Sequence, residues 1–314
     1  MRVLFWGTPE FAAAPLRALI GEGFEVIGVV TQPDKPAGRS RALASPPVKE
    51  IALEEKIPCF QPVTPKDEEF IATITAIQPD ISIVVAYGHI LPRRVIDIPK
   101  LGTLNIHASL LPLLRGAAPI QAAIRQGMRQ TGVTIMRMVP ALDAGPIILT
   151  APVPILEDET YGELQNRLAE LGALTLIEAL ALVELGNASE TAQDDSLATY
   201  AAKVTRDDAR IDWTMSVDEV SRSIRAYDPK PGAFTTLHGS DVKLFGPRPA
   251  GEQSQGGAKP GETGEVIAVG EGIIVSCADG AICIRDVQPS GKKRMRAFEW
   301  ARGRGISIGD RFGS

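Results

Sequence analysis

The chain has 314 residues, of which 44% are hydrophobic and 23% charged, and its formal net charge is −5. This composition is typical of a globular protein of about two domains, and the acidic balance alone argues against a nucleic-acid partner. No apolar stretch approaches the roughly 18 residues of a membrane span and the first residues carry no export signal, so we expect a cytoplasmic protein without a membrane segment.

The first 30 residues predict a βαβ unit. Residues 3–6 are typical of a short strand, Pro9 suits the first turn of a helix, and residues 26–30 are typical of a second strand. The first turn, WGTPEF, lacks the GxGxxG motif of dinucleotide-binding enzymes, so Gly7 within it serves either packing or another ligand. Alternating signals then predict helices near 47–56, 66–77, 117–127 and 160–184, and strands at 81–87, 133–139 and 146–155.

The alternation changes near residue 190, which divides the chain into two predicted domains. Residues 1–189 are predicted to form an α/β domain with a largely parallel, Rossmann-like sheet. Residues 190–205 are polar and irregular, which is typical of a linker. From 206 to 314, a helix near 216–227 and short β runs separated by turns rich in Gly and Asp predict a small, OB-like β-barrel domain.

The segment LNIHASLLPLLRG, residues 104–116, carries polar residues on a predicted strand. Asn105 and His107 are two residues apart, so both project to the same face, close to where the strand ends. Open α/β sheets bind ligands at such ends, and Asp143, in a Leu-Asp-Ala-Gly turn, could orient the imidazole and keep it charged. The alternative is a satisfied polar pair that caps the following segment.

Asn105, His107 and Asp143 include no covalent nucleophile, so the substrate must supply one. An asparagine can donate to a developing oxyanion, a histidine can move a proton, and an aspartate can keep the imidazole protonated. The three cysteines (Cys59, Cys277 and Cys283) match no zinc or CxxC spacing, and the three histidines are scattered. The trio therefore predicts the direct transfer of an activated acyl group to an amine, without a metal.

Sequence motifs in both domains carry a family resemblance. The segment NIHASLLPLLRGAAPIQ (105–121) is similar to the signature of enzymes that transfer a formyl group from 10-formyltetrahydrofolate, and its RGAAPIQ ending resembles methionyl-tRNA formyltransferases. Further matches are FWGTPEFA (5–12), TQPDKPAGR (31–39), VVAYGHILP (84–92), TGVTIM with LDAG (131–145), RIDW (210–213), IRAYDPKPGAF (224–234) and QPSGKK (288–293).

The resemblance implies a reaction and the residues that perform it. Asn105, His107 and Asp143 would be catalytic, and the turn of Ser109, Leu110, Leu111 and Pro112 would border the folate. The formyl group of 10-formyltetrahydrofolate would pass, through a tetrahedral intermediate, to the free α-amino group of methionyl-initiator tRNA. The product would be the formylmethionyl-tRNA that starts translation.

Two basic stretches are the implied contacts with tRNA. The loop 33–47 carries Arg39 and Arg41 and resembles the family's insertion toward the tRNA acceptor stem, although Ser40 and Ala42 stand where relatives often have lysines. The stretch 292–304 holds six basic residues and one acid, and its predicted tRNA-binding residues are Lys292, Lys293, Arg294 and Arg296. The alternative for both stretches is an ordinary solvated surface.

Three other functions stay open from the sequence. The first is a folate-dependent formyltransferase that acts on a sugar-nucleotide amine or a purine precursor. The second is a non-catalytic tRNA-binding protein, and the third is a hydrolase that deformylates the folate with water. No stable protein partner is expected under the methionyl-tRNA reading.

Overall fold

The computed structural model describes residues 1–37, 42–250 and 262–313. The chain forms two compact units, which do not divide at a single point in the sequence. The first unit contains Met1–Pro119, Gln130–Pro154 and Gln165–Ala201, and the second contains Ile120–Arg129, Ile155–Leu164 and Ala202–Ser314. The predicted linker 190–205 is therefore shared, and its residues up to Ala201 belong to the first unit.

The elements up to residue 201 alternate between strands and helices. The strands are β1 (Arg2–Gly7), β2 (Glu25–Val30), β3 (Lys35–Ala37), β4 (Ala42–Ala44), β5 (Cys59–Phe60), β6 (Ile81–Val85), β7 (Thr103–His107), β8 (Arg115–Gly116), β9 (Gln130–Arg137), β10 (Ile147–Pro154) and β11 (Tyr200–Ala201). The helices are α1 (Ala13–Gly21), α2 (Pro47–Glu54), α3 (Glu68–Ala76), α4 (Arg93–Ile96), α5 (Pro119–Arg125) and α6 (Tyr161–Glu184).

Seven strands of the first unit form one twisted sheet in the order β10-β9-β7-β6-β1-β2-β5. Strands β5, β2, β1, β6 and β7 are parallel, and β9 and β10 continue the sheet antiparallel beyond β7. The five residues of β6, ISIVV, are all buried, as expected for a strand covered on both faces. The predicted Rossmann-like, largely parallel sheet is thus confirmed.

Two features of this sheet favour a binding site at its carboxyl edge. Strand β1 has β2 on one side and β6 on the other, so the chain order reverses there and the ends of β1 and β6 border a crevice. Helix α6 packs below β7, because a Cβ on its Gly172 would lie only 3.1 Å from Cγ2 of Ile106. Ile106 stands between the two predicted catalytic residues of β7, so the helix supports that strand from beneath.

The second unit is built around an antiparallel sheet. Its strands are β12 (Phe234–Leu237), β13 (Ser240–Pro249), β14 (Val266–Val269), β15 (Ile273–Ser276), β16 (Ala281–Pro289) and β17 (Met295–Arg296), and its helices are α7 (Val217–Ala226) and α8 (Ala297–Arg302). The strand order is β12-β13-β16-β15-β14, and β17 pairs with β16. The sheet curls around a core that includes Ile224, Leu244, Ile284 and Trp300. This half-barrel confirms the predicted β-barrel-like domain.

Helix α7 has a strong local start signal. Ser216 accepts a hydrogen bond from the backbone N–H of Glu219, and the Glu219 carboxylate accepts one from the backbone N–H of Ser216. Across the described residues, no helix is long and apolar enough to cross a membrane.

Candidate active site

Strand β7 presents Asn105 and His107 at the carboxyl edge of the sheet. Asn105 lies opposite Met136 of β9 and Val84 of β6, and His107 lies opposite Thr134 of β9. Both side chains are largely covered, with exposed fractions of 9% for Asn105 and 6% for His107. The predicted common face is therefore observed, and the two polar groups lie close to the core.

The Asn105 amide differs from its neighbours because it has no protein partner. Within the described part of the chain, no side chain or backbone group forms a hydrogen bond with it, although the residue is mostly buried. Its amide atoms are not among the fully buried polar atoms that lack a partner in the described residues, so they keep access to solvent or to a ligand. This amide is thus a group that a bound molecule could satisfy.

The turn after β7 is fastened to β9 by Thr134. The Thr134 hydroxyl donates to the carbonyl oxygen of Ser109 over 2.7 Å and accepts from the Leu111 N–H over 3.1 Å. The Ser109 hydroxyl donates to the carbonyl oxygen of Leu113 over 2.6 Å, which closes the turn, and the Leu111–Pro112 peptide is cis. The residues predicted to border the folate, Ser109 to Pro112, therefore form a rigid rim beside the predicted catalytic strand.

His107 is held between a carbonyl and a carboxylate. Its Nε2 lies 3.0 Å from the carbonyl oxygen of Leu114, and its Nδ1 lies 3.7 Å from Oδ2 of Asp143. A carbonyl oxygen can only accept, so Nε2 carries a hydrogen and donates it to Leu114. Nδ1 therefore faces the Asp143 carboxylate, which can attract positive charge that develops on the ring.

Asp143 is itself positioned by β8. Its Oδ2 accepts the N–H of Gly116 over 2.7 Å. Gly116 has a φ of 116°, and a Cβ there would lie 2.6 Å from the carbonyl oxygen of Ala201, so only glycine fits. The structure thus brings Asn105, His107 and Asp143 together, and the backbone of β8 takes part in the arrangement.

A segment that the sequence predicted as linker also reaches this place. Strand β11 pairs in parallel with β8, and the Thr199 hydroxyl accepts the N–H of Leu114 over 2.8 Å. Gln193 bonds to the carbonyl of Asp143 and to the guanidinium of Arg115. Sequence reasoning missed these residues because they lie 50 to 85 positions from their partners and follow no periodic pattern.

Arg115 is a buried cation in this network, with an exposed fraction of 3%. Burial lowers the pKa of its guanidinium, but hydrogen bonds and charge interactions with Asp195 and Tyr200 more than offset this effect and raise the pKa. Nη2 of Arg115 lies 2.7 Å from Oδ1 of Asp195 and 2.8 Å from Oε1 of Gln193. Arg115 is therefore a fixed positive charge behind the site.

Polar contacts join the segments that follow β1, β2 and β6 at the carboxyl edge of the sheet. The Thr8 hydroxyl and the Gln32 amide both donate to the carbonyl oxygen of Tyr87, over 3.0 and 3.1 Å. A Cβ on Gly7 would lie 2.7 Å from Cβ of Ala12, so packing alone accounts for that glycine.

The first predicted tRNA-binding pair, Arg39 and Arg41, lies outside the described residues. The strands on either side, β3 and β4, pair antiparallel. At its base, Nζ of Lys49 lies 2.7 Å from Asp34, and the Gln61 amide donates to the same carboxylate over 2.8 Å. Hydrogen bonds from Lys49 and then Gln61 lower the pKa of the Asp34 carboxyl.

The second predicted group is only partly free to meet a polyanion. Arg294 contacts Asp228 over 3.0 Å and Asp286 over 3.1 Å, and its guanidinium lies 4.2 Å from the ring centre of Phe245. Arg296 also contacts Asp286, over 3.1 Å. Lys292 and Lys293 are exposed at the neighbouring turn. Asp286, which lies outside the basic stretch 292–304, therefore offsets part of the positive charge of that stretch.

No metal site accompanies these groups in the ranges that the structure covers. No three His, Cys, Asp or Glu side chains there lie close enough together to hold a metal ion.

Comparisons with known proteins give a consistent relationship over both units. A family model described as formyl transferase matches residues 1–180, and one described as formyl transferase, C-terminal domain, matches residues 203–305. A methionyl-tRNA formyltransferase of Pseudomonas fluorescens is 46% identical over 295 residues, which are 94% of this chain and 91% of the relative. The methionyl-tRNA formyltransferase of Geobacter sulfurreducens is 44% identical over 100% of this chain and 97% of its own.

Solved structures share the fold at lower identity. HypX from Aquifex aeolicus, in complex with tetrahydrofolic acid, matches with a TM-score of 0.66 and 22% identity over 97% of this chain, which spans 47% of HypX. WlaRD, a sugar 3N-formyl transferase, matches with a TM-score of 0.65 and 19% identity over 93% of this chain and 99% of its own. At these identities the likeness concerns the fold alone.

Proposed function

Since the chain belongs to the methionyl-tRNA formyltransferase family, we propose that it transfers the formyl group of 10-formyltetrahydrofolate to the α-amino group of methionyl-initiator tRNA. The single observation that carries the site assignment is the unpaired Asn105 amide beside the His107–Asp143 pair. The product would be formylmethionyl-tRNA for translation initiation, and the reaction would take place in the cytoplasm.

The residues present fit a formyl donor at the edge of β7. The donor supplies an activated one-carbon group: the bond from the amine nitrogen to the formyl carbon forms, the bond from that carbon to N10 breaks, and one proton passes from the amine to the leaving nitrogen. The rigid rim of Ser109 to Pro112 and the crevice beside β6 offer a surface for a flat, partly apolar ring system.

Asn105 and His107 would stabilise the charge that develops on the formyl oxygen. The Asn105 amide has free donors, and a donor that meets the oxyanion is worth more in a site that excludes water. His107 has a hydrogen on Nε2, which it could redirect from the Leu114 carbonyl to the substrate oxygen. Both donors come from one strand, and only His107 would have to exchange an existing hydrogen bond to meet the oxyanion.

Asp143 and His107 would handle the proton. The carboxylate lies 3.7 Å from Nδ1, close enough to stabilise an imidazolium and, after a small shift, to accept its proton. Because the amine must lose a proton and the leaving nitrogen must gain one, a His–Asp pair beside the reacting carbon can take up the first and return the second.

The two predicted tRNA-binding groups have different support. Arg39 and Arg41 lie outside the described residues, and what supports their role is the resemblance of the loop 33–47 to the family's insertion. In the second unit, the exposed Lys292 and Lys293 would meet phosphates directly, whereas Arg294 and Arg296 would first have to exchange Asp286 for a phosphate.

One assay separates this proposal from its rivals. Purified protein and 10-formyltetrahydrofolate would be incubated with charged initiator tRNA, uncharged initiator tRNA, a dTDP-amino sugar, or water alone, and tetrahydrofolate release and acceptor formylation would be measured together. The proposal expects formylation of charged tRNA only. Formylation of the amino sugar would favour the sugar-nucleotide alternative, release without an acceptor would favour the hydrolase, and tRNA binding without turnover would favour the non-catalytic protein.

A further inference from the structure

We propose that Gln193 is the positioning residue for Asp143, a role that rests on the proposed formyl transfer. Gln193 comes from the polar stretch between the last helix of the first unit and the second unit, and it touches none of the groups proposed to meet the substrate. It acts through Asp143, whose backbone it holds. Neither the family resemblance nor the spacing of the catalytic trio pointed to it.

The hydrogen bonds around Gln193 form a closed ring. The Gln193 amide nitrogen donates to the carbonyl oxygen of Asp143, and its amide oxygen accepts from Arg115. Arg115 is followed by Gly116, whose N–H donates to the carboxylate of Asp143. Asp143 is therefore held at both its backbone and its side chain, and Gln193 is the link that joins the two attachments.

Gln193 uses its whole bonding capacity in this ring. Nε2 donates over 2.8 Å to the carbonyl of Asp143 and over 2.7 Å to that of Gly145, and Oε1 accepts from Nε and Nη2 of Arg115 over 3.1 and 2.8 Å. An amide has two donor hydrogens and two acceptor lone pairs, so all four are satisfied. Its partners fix its orientation, since the reversed amide would set oxygen against two carbonyls.

The turn that contains Asp143 and Gly145 has a strained backbone conformation, and Gln193 donates two hydrogen bonds to it. Asp143 has a φ of 48°, in the left-handed region that disfavours residues with a Cβ. At Gly145, a Cβ would lie 1.7 Å from the carbonyl oxygen of Arg137, so the chain is tightly confined there. Two hydrogen bonds from one amide to the carbonyls of this turn offset the cost of the strained conformation. They keep the Asp143 carboxylate 3.7 Å from Nδ1 of His107.

The test replaces Gln193 by methionine, which has a similar length and shape but no amide. We expect kcat for formyl transfer to fall about tenfold to a hundredfold, the size found when a residue that orients a metal ligand is removed. KM for both substrates should stay unchanged, because Gln193 does not contact them. In Q193E the Arg115 acceptor remains but the two donors are lost, so we expect kcat to fall at least as far as in Q193M.

A matched control comes from the adjacent residue. Asp194 caps the short 3-10 turn Asp195–Leu197 by accepting from the N–H and the hydroxyl of Ser196, and no bond of its side chain reaches the ring. D194A disturbs the same segment without removing a bond to Asp143, so its kcat should match that of the unchanged protein.

Positioning is separated from a general structural role by combining Q193M with D143N. If Gln193 acts through Asp143, Q193M should cause little further loss of kcat in the D143N protein. The ring resonances of His107, observed by NMR, should also move in Q193M and stay in D194A. Full activity of Q193M, or equal losses from Q193M in both backgrounds, would overturn the proposal.

Failure of the proposed formyl transfer would give a different result from failure of the positioning role of Gln193. An unchanged protein that formylates no methionyl-tRNA would contradict the function, while the His107 resonances would still report whether Gln193 sets the His107–Asp143 pair. Unmoved resonances in Q193M together with normal transfer by the unchanged protein would contradict the positioning role alone.

Discussion

At the scale of single residues, Asn105 and His107 share one strand face but differ in their contacts. His107 is engaged at both ring nitrogens, by the Leu114 carbonyl and near the Asp143 carboxylate. Asn105 has no protein partner in the described residues. His107 is thus the oriented member of the pair, and Asn105 is the open one.

The open amide gives the first prediction. Asn105→Ala should retain the fold and lose roughly 10²–10³ in turnover, because one oxyanion donor is removed while no internal hydrogen bond is broken. Single-turnover formylation of charged tRNA measures the loss, and circular dichroism checks the fold. Asn166→Ala, on the exposed face of α6, is the matched control and should keep full activity. Near-normal turnover of the Asn105 variant would make this asparagine structural.

Tyr87 supports a prediction about alkaline stability. Its hydroxyl is buried without a partner in the described structure, beside Trp6 at a ring distance of 5.3 Å, and burial raises the pKa of Tyr87 to about 12. Above the ordinary pKa of 10.0 the unfolded chain loses a proton that the folded chain keeps, so stability falls as pH rises from about 10 to about 12. Tyr87→Phe should remove the part of this fall that Tyr87 contributes and cost little at neutral pH, since no hydrogen bond is lost.

Urea unfolding at neutral pH and in the alkaline range measures the difference. Tyr161→Phe is the contrasting variant, because the Tyr161 hydroxyl does have a hydrogen bond, with Gln121. It should be destabilised already at neutral pH. A Tyr87→Phe protein with the same alkaline decline as the unchanged chain would contradict the assignment to this hydroxyl.

At the scale of elements, the position of β7 depends on how closely α6 approaches it. Gly172→Val should cost about 1–3 kcal/mol of unfolding free energy, because the new side chain would overlap Ile106. It should also reduce kcat, since Ile106 lies between Asn105 and His107. Leu174→Val is the control: it adds the same β-branched residue to α6 at a position that is 71% exposed. Equal stability of the two variants would show that α6 tolerates a wider spacing.

Much of the fold was visible in the sequence, because apolar patterns repeat locally. The predicted helix 160–184 is observed as Tyr161–Glu184 and the predicted strand 81–87 as Ile81–Val85. The pairing of β8 with β11 was not predicted. It joins residues 85 positions apart through backbone groups, and two-residue strands have no hydrophobic period.

The residues of the candidate site also divide into those that the sequence predicted and those that only the structure shows. Asn105 and His107 could be placed on one face from strand geometry, and Asp143 was associated with them through its turn. The roles of Arg115, Gln193 and Thr199 depend on a fold-back that only three-dimensional structure displays. Local sequence indicates which side chains can react, whereas the bonds that orient them come from distant parts of the chain.

At the scale of the whole molecule, the formal charge of −5 contrasts with the polyanionic tRNA. Binding therefore depends on local positive groups, and Asp286 weakens one such group by contacting both Arg294 and Arg296. The number of basic residues in a stretch thus overstates the field that a phosphate would meet.

Asp286→Asn should strengthen tRNA binding and steepen its decline with salt, because two arginines become available to phosphates. Each added phosphate contact should change the slope of log affinity against log salt by somewhat under about one unit. Glu271→Gln is the matched control, since it alters the net charge equally at an exposed site of the same unit. KM for the folate should not move in either variant. Equal tRNA affinities for the two variants would mean that only net charge matters.

The fold-back of residues 191–201 changes where this protein can be divided. A fragment that ends at residue 189, the predicted domain boundary, would keep Asn105, His107 and Asp143 but lose Gln193, Thr199 and the whole of β11. Chimeras that exchange the C-terminal part between relatives should therefore join after Ala201, so that Gln193, Thr199 and β11 stay with the groups they contact. A fragment that is cut earlier and found inactive would have lost the groups that hold Asp143, the carboxylate proposed to act with His107.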